Sequence, residues 1–305
     1  MSKRAMAAWI GLALAGGGAD ARGKRPELVV TGDGVRPTTV AGHPARLRID
    51  PSAPGLPMVN PGLARRAGLK GGMFGAVYVV GPVRIVGGSA VTRLDLGGGP
   101  IKRRVSWPNR DFTRRADMTV GPGGMPDPVI RFQLRAARAG ERITILPMAP
   151  AGGLFGGYGG SFALAPIGGV PTRVRFNPDN PRTLATAGAG LALASAHGGR
   201  LEGEVGTAPV AFGVERPVRR MLLARPLAIG PLALAAIDVR VADFGNAAGI
   251  ADADAPPPDP DEIVVTAKGK RDRSRDSLTL GRDQLDRCSS IVFDKPAKQV
   301  RLSCL

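Results

Sequence analysis

Two similar stretches contain the residues with the clearest capacity for acid–base chemistry. Residues 46–53 read Arg-Leu-Arg-Ile-Asp-Pro-Ser-Ala, and residues 173–180 read Arg-Val-Arg-Phe-Asn-Pro-Asp-Asn. Two carboxylates held together can share a proton, so that one activates water while the other polarises a carbonyl group. Asp50 offers one carboxylate, but the equivalent Asn177 is an amide and cannot exchange that proton. The second carboxylate would have to come from Asp179. The alternative is that Asp50 only caps its own turn.

The two stretches belong to a longer internal repeat. Residues 42–72 align with residues 169–199 without a gap, and the identities are glycines, prolines and arginines: Gly42/Gly169, Pro44/Pro171, Arg46/Arg173, Arg48/Arg175, Pro51/Pro178, Pro54/Pro181, Gly71/Gly198 and Gly72/Gly199. These identities concentrate around one short core, and the two aligned segments lie far apart, one in each half of the chain, rather than at a short period. They therefore predict a duplicated lobe and not a solenoid.

Other chemical signals are weak. His43 and His197 are the only histidines, and neither has a cysteine or a second histidine at ligand spacing, so no metal site is predicted. The run Gly188-Ala189-Gly190 lacks the third glycine of a dinucleotide fingerprint. No cofactor is therefore expected.

The charge of the chain does not by itself indicate nucleic acid as a partner. The formal net charge is +17 over 305 residues, but the arginines are scattered singly or in pairs, and aromatic residues make up only 4%. Nucleic-acid binding proteins usually cluster their cations and add aromatic side chains for stacking. We expect a solvated, arginine-rich β surface and no nucleic-acid ligand.

The first 21 residues have the pattern of a signal peptide. Lys3 and Arg4 precede an apolar run over 5–18, and Ala19-Asp20-Ala21 is a small-x-small cleavage site. Cleavage near Ala21 would place the mature chain in the periplasm or outside the cell; the alternative is an uncleaved anchor. No later apolar run reaches the roughly 20 residues of a membrane span, so no integral span is expected.

Short alternating apolar runs bounded by turns predict an all-β fold with a few short helices. Strands are expected at 27–31, 40–49, 77–80, 83–86, 91–96, 103–107, 129–134, 142–146, 161–164, 218–223, 227–229 and 236–241, and one helix at 61–69. The predicted lobes are 22–150 and 151–245 with 276–305. Residues 246–275 are acidic and proline-rich, then highly charged, and are predicted to form a disordered insertion.

The two cysteines flank a predicted hairpin. Residues 289–293 and 300–304 alternate around the turn Lys295-Pro296-Ala297-Lys298, which lies midway between Cys288 and Cys304. The two cysteines should therefore face each other across the hairpin. An exported protein would retain such a disulfide, whereas free thiols are the alternative.

Several of these segments resemble motifs of the retropepsin-like and pepsin-like aspartic peptidases. The turn at 49–53 with the helix at 63–69 is similar to the first catalytic turn and its helix. Residues 118–121 resemble the downstream segment of two apolar residues and a glycine. In the second half, 278–285 and 292–294 resemble the closing element. The resemblance implies a two-lobed β-barrel fold with a peptide-binding cleft.

Both turns depart from the family pattern, in which Asp is followed by Thr or Ser and then Gly. Pro51 and Pro178 replace the hydroxyl residue, Ser52 and Asp179 replace the glycine, and Asn177 replaces one aspartate. The main hypothesis is an inactive relative that binds an extended peptide or protein in the cleft. One alternative is an active endopeptidase that uses Asp50 with Asp179 or with a second chain. Another is a cell-envelope protein that acts through the insertion at 246–275.

Overall fold

The computed structural model describes residues 26–149, 160–243, 247–254, 273 and 275–305. The elements up to residue 147 are β1 (Glu27–Val30), β2 (Val35–Val40), β3 (His43–Ile49), β4 (Met58–Val59), α1 (Pro61–Arg66), β5 (Ala76–Val80), β6 (Val83–Asp95), β7 (Pro100–Pro108), β8 (Met118–Val120), β9 (Val129–Gln133) and β10 (Arg142–Pro147). A single 3₁₀ turn, Pro122–Gly124, follows β8.

The later elements are β11 (Ala163–Ile167), β12 (Val170–Phe176), β13 (Leu184–Ala185), α2 (Ala187–His197), β14 (Gly199–Ala211), β15 (Val214–Ile229), β16 (Leu232–Arg240), β17 (Ser277–Leu280), α3 (Arg282–Leu285), β18 (Cys288–Asp294) and β19 (Gln299–Cys304). Strands far outnumber helices in the described residues. The predicted all-β fold with a few short helices is confirmed.

Two seven-stranded sheets have the same topology. One has the order β2-β3-β8-β4-β7-β6-β5, and the other has the order β11-β12-β17-β13-β16-β15-β14. The parallel and antiparallel pairings also correspond, for example β3 with β8 and β12 with β17, which are both parallel. We call β2–β8 with α1 the first lobe and β11–β17 with α2 the second lobe. The internal duplication and the two-lobed architecture predicted from the sequence are therefore present.

A third sheet joins the lobes. Its order is β1-β9-β18-β19-β10, so the hairpin of β18 and β19 pairs with strands that precede the second lobe in sequence. Phe132 of β9 and Phe176 of β12 both pack edge-on against Phe293 of β18, at 5.8 and 6.0 Å between ring centroids. One continuous apolar core runs through this connecting sheet and both lobes. Burial of this shared surface holds the lobes together.

The predicted hairpin disulfide is present. Cys288 and Cys304 face each other in the register of β18 and β19, and their sulfur atoms are bonded at 2.04 Å. Both residues are fully buried. The bond closes the open end of the hairpin, opposite the turn at 295–298.

The structure differs from the predicted elements in several places. The predicted strands 218–223 and 227–229, for example, lie in one strand, β15. The runs 83–86 and 91–96 form one strand, β6, because Gly87 and Gly88 allow close packing and do not form a turn. A Cβ atom at Gly87 would lie 2.2 Å from the carbonyl oxygen of Trp107. The helix α2 was not predicted; Thr186 caps its first turn by accepting from Ala189 N–H, and Gly198 ends it in the left-handed conformation.

Some predicted segments fall outside the described residues, namely the signal segment at 1–21 and most of the insertion at 246–275. The described start of that insertion, 247–254, lies against the second lobe, where Ala253 N–H donates to Leu201 O and Arg219 pairs with Asp252. No helix in the described part of the chain is long and apolar enough to cross a membrane.

Candidate functional site

The first turn begins where β3 ends. Asp50 N–H donates to Val120 O at 3.0 Å, which ties the turn to the end of β8, and Ala53 N–H returns to Asp50 O at 3.1 Å. The carboxylate of Asp50 is buried, and its Oδ1 accepts from the backbone N–H and the hydroxyl of Ser52 at 2.8 and 2.7 Å. Asp50 therefore caps its own turn, as a lone Asp commonly does.

The second turn reproduces the hydrogen bonds that the backbone N–H groups make in the first turn, but not the bond from the Ser52 hydroxyl. Asn177 N–H donates to Leu280 O at 2.9 Å, Asn180 N–H donates to Asn177 O at 3.1 Å, and Asn177 Oδ1 accepts from Asp179 N–H at 3.1 Å. The side-chain amide of Asn177 thus replaces the carboxylate of Asp50 in the cap. An amide oxygen is a sufficient acceptor for this structural role, but it cannot carry an exchangeable acid proton.

A glycine follows each central strand that supports a turn. A Cβ atom at Gly121 would lie 1.9 Å from Ala53 O, and one at Gly281 would lie 2.3 Å from the carbonyl carbon of Arg182. Each glycine thus allows the strand end to contact the backbone that leaves the turn. These are the glycines of the two segments, 118–121 and 278–281, that resemble the peptidase motif.

Arg48 connects the two turns. Its guanidinium lies 3.4 Å from Asp50 Oδ2 through Nη1 and 2.6 Å from Asp179 Oδ2 through Nη2, and its Nε donates to Asp33 O at 3.1 Å. Arg115 binds the other oxygen of Asp179 at 2.7 Å. The two carboxylates of the predicted site are thus bridged by a cation.

The remaining residues of the degenerate motif are divided between two cavities. Ser52 and Asn177 line the base of a cavity of about 440 Å³ between the lobes, which we call the cleft. Pro51, Pro178 and Asp179 line a separate cavity of about 260 Å³. Neither proline has an N–H or a hydroxyl group with which to lock the two turns together.

Two hairpins close over the cleft from opposite lobes. The hairpin of β5 and β6 contributes Tyr78, and the hairpin of β14 and β15 contributes Phe212 at its turn. The Phe212 ring packs against Tyr78 at 5.0 Å and against Phe112 at 5.1 Å between centroids. Phe212 is buried and has a φ of +55°, an unfavourable conformation for a residue with a side chain. The contact is retained at the expense of local backbone strain.

Hydrogen bonding and burial also stabilise the first hairpin. The Tyr78 hydroxyl lies 2.6 Å from the Ser106 hydroxyl, and burial raises the pKa of Tyr78. At the hairpin turn, Gly81 leaves no room for a Cβ atom beside Asp243. Asp243 in turn pairs with Arg216 and Arg240 of the second lobe. The first hairpin therefore contacts the second lobe at its turn as well as through Tyr78.

Arginines line the floor of the cleft in the second lobe. Arg173 and Arg175 flank the buried Val174 in sequence and lie on the same face of β12. Both guanidinium groups lie over the ring of Phe162. Burial, together with the nearby charges of Arg173 and Arg240, lowers the pKa of Arg175 to about 10, although part of this side chain still contacts water in the cleft. At neutral pH the floor remains cationic.

Sequence reasoning identified both turns but missed Arg48, the bridging residue. The only signal was its place in the repeat, two residues before Asp50, where Arg175 stands before Asn177. Within the described residues, no three side chains of His, Cys, Asp or Glu lie close enough together to hold a metal ion.

No family model matches the sequence, and no curated protein matches it. Among solved structures, the chain is similar to the retroviral protease-like domain of Ddi1 from Leishmania major, at 22% identity and a TM-score of 0.23, over 28% of this chain and 70% of that one. It is also similar to the aspartic proteinase from Irpex lacteus, at 12% identity and a TM-score of 0.38, over 88% of this chain and 93% of that one.

Proposed function

We propose that this chain is an aspartic-peptidase-like protein that binds an extended peptide or protein segment in its cleft without cleaving it. The observation that supports this proposal is the asymmetry of the two turns. Asp50 and Asn177 occupy equivalent positions in matching hydrogen-bond networks, so only one of the two positions offers a carboxylate. A proton-sharing pair requires two.

The surroundings of Asp50 argue further against catalysis. Its Oδ1 already accepts two hydrogen bonds from Ser52, and its Oδ2 faces Arg48. A general base must have an oxygen free to accept a proton from the attacking water. Asp179 is the other candidate, and both of its oxygens are bound by Arg48 and Arg115. Its use as a catalytic acid would require both ion pairs to break.

The cleft itself supports a binding role. Its volume of about 440 Å³ is within the range of typical ligand sites. It lies between two sheets and beneath two hairpins, and β5 and β12 supply side chains from opposite lobes. An extended peptide presents alternate side chains to opposite sides, which suits a site with walls on two lobes. Phe212 and Tyr78 would then contact the peptide or move aside to admit it.

Export belongs to the same proposal. The disulfide between Cys288 and Cys304 is typical of an oxidising compartment. Together with the leader pattern at 1–21, it supports a mature protein that begins near Arg22 and works in the periplasm or outside the cell. N-terminal sequencing of the protein recovered from the periplasm or medium tests this, and a chain that keeps its first 21 residues in the membrane fraction would contradict it.

The proposed absence of catalysis is tested by incubating the purified mature protein with unfolded protein substrates from acidic to neutral pH, with and without pepstatin. We expect no pepstatin-sensitive cleavage and saturable binding of unfolded chains by calorimetry. Asp50→Ala is the informative variant, and Asp111→Ala, at an exposed position, is its matched control. Cleavage that disappears in Asp50→Ala and persists in Asp111→Ala would overturn the proposal.

A further inference from the structure

We propose that the second-lobe floor of the cleft contains an anion subsite, formed by Arg173, Arg175, Ser277 and Thr279, that binds the carboxylate of an acidic side chain in the bound peptide. This inference rests on the proposed function, since it specifies which peptides the cleft would prefer. Three of the four residues, Arg173, Arg175 and Ser277, lie outside the segments that resemble the family motifs, and Thr279 lies within the segment 278–281.

The backbone register places the four side chains together. β12 and β17 are parallel neighbours, with Arg173 opposite Ser277 and Arg175 opposite Thr279. In a sheet, partners lie about 5 Å apart, and residues two apart on one strand lie about 7 Å apart on the same face. All four residues line the cleft. The result is a compact patch of two guanidinium groups and two hydroxyl groups on a rigid sheet.

Phe162 helps to hold the arginines in place. The guanidinium carbon of Arg175 lies 4.5 Å from the centroid of its ring, and that of Arg173 lies 5.3 Å away. Such stacking fixes a guanidinium while leaving its N–H groups free to donate in the plane. Less side-chain entropy is then lost when an anion binds.

Neither Arg173 nor Arg175 has a carboxylate partner in the described part of the chain. Arg175 is the repeat equivalent of Arg48, which binds the carboxylate of Asp179. The first-lobe equivalent of Asp179 is Ser52, which lines the same cleft as Arg175 and has no charge. The second lobe therefore keeps the arginine and lacks the acid, and a solvent-accessible cavity lies in front of it.

The neighbouring charges strengthen the case for an anionic ligand. Arg240, which also lines the cleft, adds a further positive charge near Arg175, and the carboxylate of Asp243 is already paired with Arg216 and Arg240. Burial and the neighbouring charges of Arg173 and Arg240 lower the pKa of Arg175, the direction expected for a guanidinium with no carboxylate beside it. A bound carboxylate would supply the missing compensation.

The spacing of this patch suits an acidic side chain that an extended peptide carries. The period of an extended peptide, about 7 Å for every second side chain, equals the spacing of Arg173 and Arg175 along β12. A peptide that runs along the floor would therefore direct alternate side chains at the patch. Its backbone would occupy the rest of the cleft beneath the two hairpins.

Calorimetric titration of the full-length mature protein tests the inference. The probes are short peptides of alternating threonine and valine, acetylated and amidated, with one central glutamate or, in the matched peptide, one central glutamine. Charge-assisted hydrogen bonds predict that the glutamate peptide binds roughly 10- to 100-fold more tightly. A glutamine peptide with a free C-terminal carboxylate is the third probe. If it binds as tightly as the glutamate peptide, the patch binds a C-terminal carboxylate, and the proposal that it binds an acidic side chain is overturned.

Three double variants separate the effect of the patch from that of the general positive charge. Arg173→Gln with Arg175→Gln should abolish the preference for glutamate, so that both amidated peptides bind equally. Arg142→Gln with Arg200→Gln removes the same number of charges at exposed positions and should keep the preference. Arg173→Lys with Arg175→Lys keeps the charge without the planar fork and should give an intermediate preference. If the glutamine variant does not fold, the preference for the glutamate peptide is compared between the lysine variant and the native protein.

The possible failures are distinguishable. If native protein binds the glutamate and glutamine peptides equally, the cleft binds peptides but has no anion subsite, and only this inference falls. If the arginine-to-glutamine variant keeps the preference, the subsite lies elsewhere and the assignment is wrong. If no peptide binds at all, the proposed function itself fails, and this inference fails with it.

Discussion

Arg48 and Asp179 form an ion pair between the two lobes, with Nη2 and Oδ2 2.6 Å apart. The same guanidinium faces Asp50, so one buried cation holds the turns of both lobes. The ion pairs of Arg48 therefore link the lobes at their two equivalent turns.

Arg48→Gln should be strongly destabilising, because it leaves the buried Asp50 carboxylate without its cation. We expect a loss of about 3 kcal/mol in the free energy of unfolding, measured by urea denaturation. Arg115→Gln removes an exposed arginine from the same Asp179 and should cost less than about 1 kcal/mol. Equal effects of the two variants would contradict the bridging role of Arg48.

Asn177→Asp places a carboxylate at the second turn, yet it should not create a peptidase. Arg48 would still face Asp50, and neither Pro51 nor Pro178 has a hydroxyl group that could hydrogen-bond to the other turn. We expect no pepstatin-sensitive cleavage of unfolded substrates between acidic and neutral pH. Acid-dependent cleavage by this single variant would show that the amide alone prevents catalysis.

Phe212 should control access to the cleft. Phe212→Ala removes the ring from between Tyr78 and Phe112 and should destabilise the fold by about 3 kcal/mol. It should also speed peptide association, measured by stopped-flow fluorescence. Phe212→Gly should be about 1 kcal/mol more stable than Phe212→Ala, because glycine adopts the left-handed conformation without strain.

A matched control for this prediction lies on the same hairpin. Val205 is exposed on β14, so Val205→Ala should change neither stability nor association rate appreciably. If Phe212→Ala leaves the association rate unchanged, the two hairpins do not limit entry to the cleft.

Glu141 gives the fold a defined acid sensitivity. Its carboxylate accepts from the hydroxyl of Ser289, and Arg135 and the Arg138 backbone N–H also donate to it; together these hold its pKa below the ordinary value of 4.5. Because the folded-state pKa is the lower one, the stabilisation is present above pH 4.5 and is lost as pH falls through the folded-state pKa. The difference in unfolding free energy between native protein and Glu141→Gln should therefore be constant from pH 7 to about 5 and shrink below pH 4.5. A difference that grows on acidification would contradict this assignment.

The sequence was informative where local pattern determines structure. The repeat around Asp50 and Asn177 predicted two equivalent turns, and the alternation around residues 295–298 predicted the disulfide hairpin. Helix α2 was missed because it is rich in alanine and glycine and is buried on several sides, so it shows no amphipathic period. Its capping residues, Thr186 and Gly198, were the available signal.

Contacts between distant parts of the chain were not predictable in the same way. Arg48 and Asp179 are 131 residues apart, and Phe212 meets Tyr78 only after two separate lobes have docked. No periodicity or motif encodes how two sheets are placed relative to each other. The signal peptide, the lobe boundaries and the roles of Asp50 and Asp179 remain predictions.

The connecting sheet has a consequence for the order in which the protein folds. β9 and β10 of the early chain lie on either side of β18 and β19, and Gln133 pairs with Ser290, far later in the sequence. While the chain is being synthesised, β9 and β10 have no central partners, so this sheet cannot close until the last strands have emerged. Pairings so distant in sequence form slowly. The strands of the first lobe are all made by residue 120, so its sheet has every partner long before the connecting sheet can join it to the second lobe.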